Sequence, residues 1–182
     1  MPLIRLLNED DWPAAWAMIE PVFRAGRTYV YPPEITEEEA RRVWVDVPAA
    51  TYVAEYEGEI LGTYYLKPNQ SGLGAHICNC GYIVSERARG RGIASMMCEH
   101  SQSEAVAHGF RGMQYNLVVS TNEGAIRLWK RLGFQIVGTL PGAFRDPEQG
   151  YVDAHVMFKQ LIREDTDQDA EQVSGGNGGQ RR

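Results

Sequence analysis

Apolar residues recur along most of the chain at two spacings, which predict a mixture of strands and helices. Short apolar or alternating runs predict seven strands: Leu3–Leu7, Thr51–Tyr56, Ile60–Lys67, Ile77–Val84, Gln114–Val119, Phe134–Leu140 and Tyr151–Leu161. Apolar residues three or four apart predict four helices: one capped by Asp10 or Asp11 and ending at Phe23, then Thr36–Val45, Gly92–His108 and Asn122–Leu132. The predicted order is β-α-α-β-β-β-α-β-α-β-β, so we expect an α/β (α+β) fold with helices flanking a mixed sheet.

Capping and turn residues support these boundaries. Thr36 and Glu39 have the spacing of a capping box, and Gly109 follows the third helix, where a left-handed glycine commonly ends one. The run Ile77–Val84 is nearly all apolar, so we expect it to be the central strand, buried on both faces. We expect the proline- and glycine-containing segment Pro141–Gly150 to be a loop joining the last two strands.

The periodic pattern ends near Ile162 and divides the chain into two parts. With 182 residues in all, residues 1–162 are expected to form one domain. From Arg163 onward the sequence is rich in acidic residues, Gln, Ser and Gly and has no apolar periodicity. Such a composition cannot bury enough apolar surface to fold, so residues 163–182 are predicted to be a disordered tail.

The overall composition limits the classes of partner. Hydrophobic residues make up 43% and charged residues 23%, as in soluble globular proteins. A formal net charge of −6 argues against a general nucleic-acid-binding surface. No run approaches the ~20 apolar residues of a membrane span, and the N-terminus lacks a signal-peptide pattern. We therefore expect neither a nucleic-acid partner nor a membrane partner.

The cysteines and histidines point away from disulfides and metals. Three cysteines are too few for a disulfide framework, and reduced thiols favour a cytoplasmic location. His76, Cys78 and Cys80 lie on one predicted strand without a second pair of ligands, so no metal site is expected. The sequence leaves the oligomeric state open, with a homodimer as one alternative.

The most informative stretch follows the predicted central strand and leads into a helix. It consists of Arg89, Gly90, Arg91, Gly92, Ile93 and Ala94. The first N–H groups of a helix have no intrahelical acceptor and lie at the positive end of its dipole. Glycine lets an anion approach this main chain closely, because it has no Cβ. The stretch therefore predicts a backbone site for a pyrophosphate.

Read by its spacing, this stretch is Arg-x-x-Gly-x-Ala and resembles the acetyl-CoA loop of the GCN5-related N-acetyltransferase (GNAT) superfamily. A second block, Asn122–Phe134, resembles the family's Asn-x-x-Ala signature, which continues through apolar and aromatic positions to Gly-Phe. The two blocks have the family's order, and the resemblance covers roughly Leu3–Leu161. It implies a mixed, mostly antiparallel central sheet flanked by about four helices. It also implies acetyl-CoA as co-substrate and no metal.

The resemblance assigns roles around this co-substrate. The Arg89–Ala94 turn would hold the pyrophosphate, and the main chain of Tyr82, Ile83 and Val84 would pair with the pantetheine amides like an added strand. Asn122 would hydrogen bond to the co-substrate and support catalysis. An ordinary helix N-cap is the alternative for Asn122, since asparagine favours that position, and both can hold at once.

Two departures from the family pattern concern the catalytic groups. The aromatic position of the second block is often a tyrosine that protonates the leaving thiolate, but here it is Trp129. Indole donates a hydrogen bond but is no practical acid, so we expect Trp129 to pack in the core. The family's common general base is a carboxylate on the central strand, and the segment Ile77–Gly81 has none.

Asn79 and Asn116 are polar positions in strands that otherwise look buried. A buried amide must be hydrogen bonded, so they could satisfy one another or backbone groups. Together with Asn122, they also resemble the GNAT branch that acetylates L-azetidine-2-carboxylate and other proline analogues. That narrower resemblance implies substrate binding by Asn79 and Asn116, and catalysis supported by Asn116 and Asn122.

The leading functional hypothesis is direct transfer of acetyl from acetyl-CoA to a small-molecule amine, a proline analogue or amino acid among the candidates. A protein N-terminal or lysine acetyltransferase is the first alternative. A non-catalytic acyl-CoA-binding module is the second, supported by the missing base and the missing tyrosine.

Overall fold

The computed structural model describes residues 1–162, and it contains seven strands and four α-helices in the predicted order. The strands are β1 (Leu3–Leu6), β2 (Ala50–Tyr56), β3 (Glu59–Pro68), β4 (Ile77–Val84), β5 (Gly112–Val119), β6 (Gln135–Asp146) and β7 (Gly150–Gln160). The helices are α1 (Trp12–Ala25), α2 (Glu37–Arg41), α3 (Ile93–Ala107) and α4 (Glu123–Arg131). Residues 163–182, where the tail is predicted, lie outside the described part of the chain.

All seven strands form one sheet in the order β1-β2-β3-β4-β5-β7-β6. Each neighbouring pair is antiparallel except β4 and β5, which run parallel. These two strands pair only at Ile77 with Gly112 and at Cys78 with Met113. Beyond these positions no ladder joins β4 and β5, so the centre of the sheet opens into a gap. The mixed, mostly antiparallel sheet with four helices is thus confirmed.

The core lies on both faces of this sheet. On one face, Ile19 and Phe23 of α1 pack with Trp44, and Tyr65 and Ile83 of the sheet join them. On the other face lie the clusters that contain α3 and α4. Since alternate residues of a strand point to opposite faces, the middle of β4 is buried on both sides, as its apolar run predicts.

Local capping explains where the first two helices begin. Thr36 and Glu39 form the predicted capping box at α2. At α1 the cap differs from the prediction, because no side chain caps the helix itself. Asn8 instead caps the 3₁₀ turn Glu9–Asp11 that leads into α1, where its side chain accepts from the Asp11 N–H. The Asp11 carboxylate instead pairs with Arg5 and accepts from the Asn8 N–H. The Asp11 side chain therefore connects β1 to the start of α1 and does not cap the helix.

The predicted loop Pro141–Gly150 is wrong. Strand β6 continues to Asp146, which pairs with Gly150 across a short turn. The ladder shifts register between Leu140 and Phe144, and this irregularity accommodates Pro141. A proline is tolerated here because β6 is the edge strand of the sheet.

No helix within residues 1–162 is long and apolar enough to cross a membrane.

Candidate active site

The gap between β4 and β5 is a cavity of about 790 Å³. Its walls come from the end of α1 and the loop after it, from β3 and β4, from β5, and from the start of α4. A break in the β5–β7 register between Tyr115 and Val118 lies beside it. Because β4 and β5 diverge, main-chain groups that would bond to each other in a closed sheet instead face this cavity.

Strand β4 exposes alternate main-chain groups to the gap. Asn69 N–H bonds to the Ile77 carbonyl, and Ser85 N–H bonds to the Leu61 carbonyl. Bonded pairs recur at every second residue of an antiparallel ladder, so the odd-numbered residues of β4 bond to β3. Tyr82 and Val84 therefore direct N–H and C=O toward the gap, whereas the main chain of Ile83 faces β3. Of the three residues predicted to pair with pantetheine, these two direct main-chain groups into the gap.

A side chain from the loop after α1 already reaches this edge. The Tyr29 hydroxyl donates to the Tyr82 carbonyl over 2.9 Å. That contact confirms that the Tyr82 carbonyl points into the gap rather than to β3. Tyr29 and Tyr31 stack at 6.3 Å between ring centroids and line the cavity together.

The turn before α3 has the backbone geometry of an anion site. Gly90 and Gly92 have φ values of 75° and 77°, which favour glycine, and Gly92 is the N-cap of α3. A Cβ on either glycine would meet no atom within 4 Å, so this main chain borders open space. No side chain caps the helix start, which leaves first-turn N–H groups available.

The six residues of the turn do not all face the cavity. Arg89, Gly90 and Ala94 line it. Arg91 is exposed and lies over the Tyr56 ring at 6.0 Å. The side chain of Ile93 is buried in the core at 2% exposure, so Ile93 can contribute only its main chain.

Asn79 is buried at the closed end of the gap and connects its two sides. Its Nδ2 donates to the Gln114 carbonyl at 2.9 Å, and its Oδ1 accepts from the Tyr65 hydroxyl at 3.0 Å. An amide has two N–H groups and two lone pairs, so each end of Asn79 keeps one free for a ligand. The Tyr65 ring crosses Gly81, where an added Cβ would lie 2.6 Å from it.

Asn116 differs from the prediction because it is exposed. It lines the cavity, but its amide bonds to Asn69 at 2.6 Å and to the Gln114 side chain at 2.9 Å. Asn79 and Asn116 therefore do not satisfy one another. They lie on opposite walls of the gap, joined through Gln114.

Asn122 is a helix N-cap and also lines the cavity. It is the N-cap of α4, where its Oδ1 accepts from the Ala125 N–H at 3.3 Å. It also lines the cavity, and its Nδ2 donates to no other described residue. The capping bond thus orients a side chain whose amide nitrogen remains available at the gap.

Trp129 packs as predicted while also bordering the cavity. It is 8% exposed, and its ring lies 5.1 Å from those of Tyr82 and Tyr115. The hydroxyls of these tyrosines bond to each other, and that of Tyr82 also bonds to Ser101. Burial raises the pKa of both tyrosines well above the ordinary value, so they remain neutral hydrogen-bonding groups.

Charged groups are few and of one sign. The described residues that line the cavity include no Asp, Glu or His, and its two cations are Lys67 and Arg89. The Cys80 thiol also borders it, and burial raises the pKa of that thiol, which disfavours a thiolate nucleophile. Residues 1–162 hold no group of three or more His, Cys, Asp or Glu side chains placed to bind a metal.

Sequence reasoning missed the wall formed by Tyr29, Tyr31, Tyr65 and Lys67. The aromatic loop before Pro33 is visible in the sequence, but it has no motif that connects it to Asn79. Lys67 and Tyr65 share a face of β3 and pair across the ladder with Asn79 and Gly81. Their role in the cavity depends on this register, which the sequence does not show.

Comparisons with known proteins place this chain among acetyltransferases. A model of the acetyltransferase (GNAT) family matches residues 11–134. The chain is similar to N-acetyltransferase aca1 of Schizosaccharomyces pombe, 39% identical over 59% of this chain and 52% of that protein. It is also similar to the L-amino acid N-acetyltransferase AaaT of Escherichia coli, 32% identical over 59% of this chain and 65% of that protein. The chain thus spans about half to two thirds of these relatives.

A solved structure extends the likeness over nearly the whole described part. It is that of a GCN5-related N-acetyltransferase from Kribbella flavida, with 40% sequence identity and a TM-score of 0.83. The alignment covers 87% of this chain and 97% of the other.

Proposed function

The chain belongs to the acetyltransferase (GNAT) family and carries an acetyl-CoA-dependent N-acetyltransferase domain, and we propose that its acceptor is the amine of a small molecule. The observation that supports this acceptor is the gap between β4 and β5. It ends in a buried, doubly hydrogen-bonded amide, that of Asn79, and the described residues lining it include no carboxylate. Such a closed end suits a compact acceptor that is oriented by neutral hydrogen bonds.

The co-substrate half of the gap fits acetyl-CoA. We propose that the main chain of the Arg89–Ala94 turn binds the pyrophosphate, since its glycines border open space at a helix N-terminus. The main-chain groups of Tyr82 and Val84 that face the gap would pair with pantetheine amides, although the Tyr82 carbonyl already accepts from the Tyr29 hydroxyl. The main chain of Ile83 bonds to β3. Bound there, acetyl-CoA supplies an activated acyl group at the closed end of the gap.

The acceptor half consists of Asn79, Asn116 and the tyrosine wall. We propose that Asn79 and Asn116 bind the acceptor through the N–H groups and lone pairs that their protein contacts leave free. Asn122 lies at the same cavity, and its amide nitrogen, which its capping bond leaves free, would donate to the co-substrate. Asn116 and Asn122 would then support catalysis by holding the reacting groups in contact.

Direct transfer requires a neutral amine, a donor to the thioester oxygen and departure of the thiolate. The lining residues supply hydrogen-bond donors and position, which can account for much of the rate enhancement. They supply no carboxylate or imidazole base, so the amine proton leaves to water. The buried tyrosines remain protonated because burial raises their pKa, and they act as donors rather than as acids.

Among small amines, an amino acid is the acceptor that a relative supports, because the similar Escherichia coli protein is named an L-amino acid N-acetyltransferase. The three asparagines favour a proline analogue within that class. Protein N-terminal or lysine acetylation is the competing proposal, and it requires the gap to admit a polypeptide. The other competing proposal is a non-catalytic acyl-CoA-binding module, which would bind CoA without acetylating any acceptor.

Release of CoA in the presence of a panel of acceptors separates these proposals. The panel contains azetidine-2-carboxylate, proline, primary L-amino acids, simple amines and peptides with free N-termini or lysines, and mass spectrometry identifies each acetylated product. We expect kcat/KM to be highest for a small acceptor. Preference for peptides would replace this proposal with the protein-acetylation alternative. CoA binding by calorimetry without acetylation of any acceptor would favour the non-catalytic alternative.

A further inference from the structure

The wall formed by Tyr29, Tyr31, Tyr65 and Lys67, here called the acceptor wall, contains one cation that has no anionic partner among the described residues. Lys67 lines the cavity, and within residues 1–162 its ammonium makes no hydrogen bond or ion pair. It lies over the Tyr65 ring, with Nζ 5.0 Å from the ring centroid. Its cross-strand neighbour is Asn79, whose Oδ1 accepts from the Tyr65 hydroxyl. Lys67, Tyr65 and Asn79 are therefore contiguous on one face of the sheet.

We propose that Lys67 determines acceptor specificity by binding a carboxylate of the acceptor, so that the enzyme selects free amino acids over amines that lack a carboxylate. This inference rests on the proposed function, because it places the acceptor beside Asn79. The nearest wall presents tyrosine rings and an amide, neither of which can neutralise the ammonium. A carboxylate is the ligand group that complements an unpaired lysine at hydrogen-bond range.

The other cations near the gap do not compete for this role. Arg89 lines the cavity on the turn proposed for the pyrophosphate. Arg145 is exposed on β6 opposite Tyr151 and does not border the cavity. Burial also lowers the pKa of Lys67, and an anionic ligand would stabilise the ammonium that burial disfavours.

The same contact would assist an enzyme whose acceptor wall has no base. In a free amino acid the carboxylate charge stabilises the neighbouring ammonium, so the pKa of the amine is higher than in the matching ester. An ion pair with Lys67 would offset that stabilisation, which favours the neutral amine that attacks the thioester. Lys67 would bind the acceptor and would itself exchange no proton with it.

The test compares acceptors that differ only in the carboxylate, using the full chain. The acceptors are azetidine-2-carboxylate and proline, the methyl ester of each, and the simple amines azetidine and pyrrolidine. For each acceptor, kcat and KM are measured with the wild type and with Lys67→Met, Lys67→Arg and Lys130→Met. Lys130 is exposed on α4, so its variant removes the same charge away from the cavity. Calorimetry with CoA and thermal denaturation show that each variant is folded and binds the co-substrate.

We expect Lys67→Met to raise KM for the acids on the order of tenfold to a hundredfold, the effect of losing one charged hydrogen bond. Its kcat/KM for the esters and simple amines should stay within about threefold of wild type, and Lys67→Arg should recover part of the acid preference. Lys130→Met should behave as wild type. If the wild-type enzyme acetylates amino acids and Lys67→Met keeps the same preference for acids over esters, this inference is overturned and the proposed function stands. A wild-type enzyme that acetylates peptides but no free amino acid overturns the proposed function and this inference together.

Discussion

The two halves of the gap are built in different ways. The half proposed for the co-substrate consists mainly of main chain, namely the Arg89–Ala94 turn and the edge of β4 that faces the gap. The half proposed for the acceptor consists of side chains from the loop after α1, from β3, from β4 and from β5. A backbone site needs the right conformation at a few consecutive residues, whereas a side-chain site needs several distant segments to be in register.

This difference predicts how each half responds to mutation. Substitutions in the co-substrate half should act on CoA affinity through backbone conformation. Substitutions in the acceptor half should act on the amine through hydrogen bonds and leave CoA affinity near that of wild type. Four experiments test this separation, from the largest expected effect to the smallest.

Gly92→Val should weaken CoA binding by about 2–3 kcal/mol, on the order of 30- to 150-fold in Kd. The added side chain would occupy the space that the pyrophosphate needs, and valine disfavours the φ of 77°. Gly109→Val is the matched control, since Gly109 has φ 83° and open surroundings just beyond the other end of α3. Calorimetry should show normal CoA affinity in the control. If the two folded variants have equal CoA affinities, the pyrophosphate does not bind at this turn.

Asn79→Ala should lower kcat/KM for the amine by about 1–3 kcal/mol and leave CoA affinity near wild type. It removes the bonds to the Tyr65 hydroxyl and the Gln114 carbonyl as well as the groups proposed for the acceptor. Asn116→Ala should have the same kind of effect but a smaller one, because Asn116 is exposed. Steady-state kinetics on the best acceptor measure both. Full activity in both variants would contradict the assignment of these amides.

Gly81→Ala should disturb the acceptor half without replacing any side chain proposed to bind the acceptor. Its Cβ would lie 2.6 Å from the Tyr65 ring, so the ring must shift, which should disturb its hydroxyl's bond to Asn79. We expect a loss of about 1–3 kcal/mol in the free energy of unfolding and a raised KM for the amine. Gly138→Ala on β6 is the control, because its Cβ would meet no atom within 4 Å. Urea denaturation and acceptor kinetics that do not distinguish the two variants would show that Tyr65 does not position Asn79.

Trp129→Phe should have the smallest effect and retain most of kcat. The indole packs against Tyr82 and Tyr115 and does not release a proton at usable pH, so a phenyl ring can keep much of the contact. Turnover is measured alongside the melting temperature to separate packing from chemistry. Loss of kcat in a stably folded variant would instead give the indole N–H a part in the reaction.

The fold was largely predictable because its signals are local. The capping box at Thr36 and Glu39 and the nearly all apolar run Ile77–Val84 determine elements over a few neighbouring residues. The prediction of a loop at Pro141–Gly150 was wrong because it also used a local signal, since a proline usually indicates a loop. An edge strand with a register shift tolerates one, and only the sheet order shows that β6 is an edge strand.

For the candidate site, the sequence by itself determined the Arg89–Ala94 turn, because a left-handed glycine before a helix is a local property of consecutive residues. It also indicated Asn79, Asn116 and Asn122 as polar positions that need partners. Only the tertiary structure decided which partners they have and that Asn116 is exposed. Tertiary structure likewise placed Tyr29 and Lys67 in one wall with Asn79. The divergence of β4 from β5 and the β3–β4 register create that wall, and both depend on contacts between segments far apart in the chain.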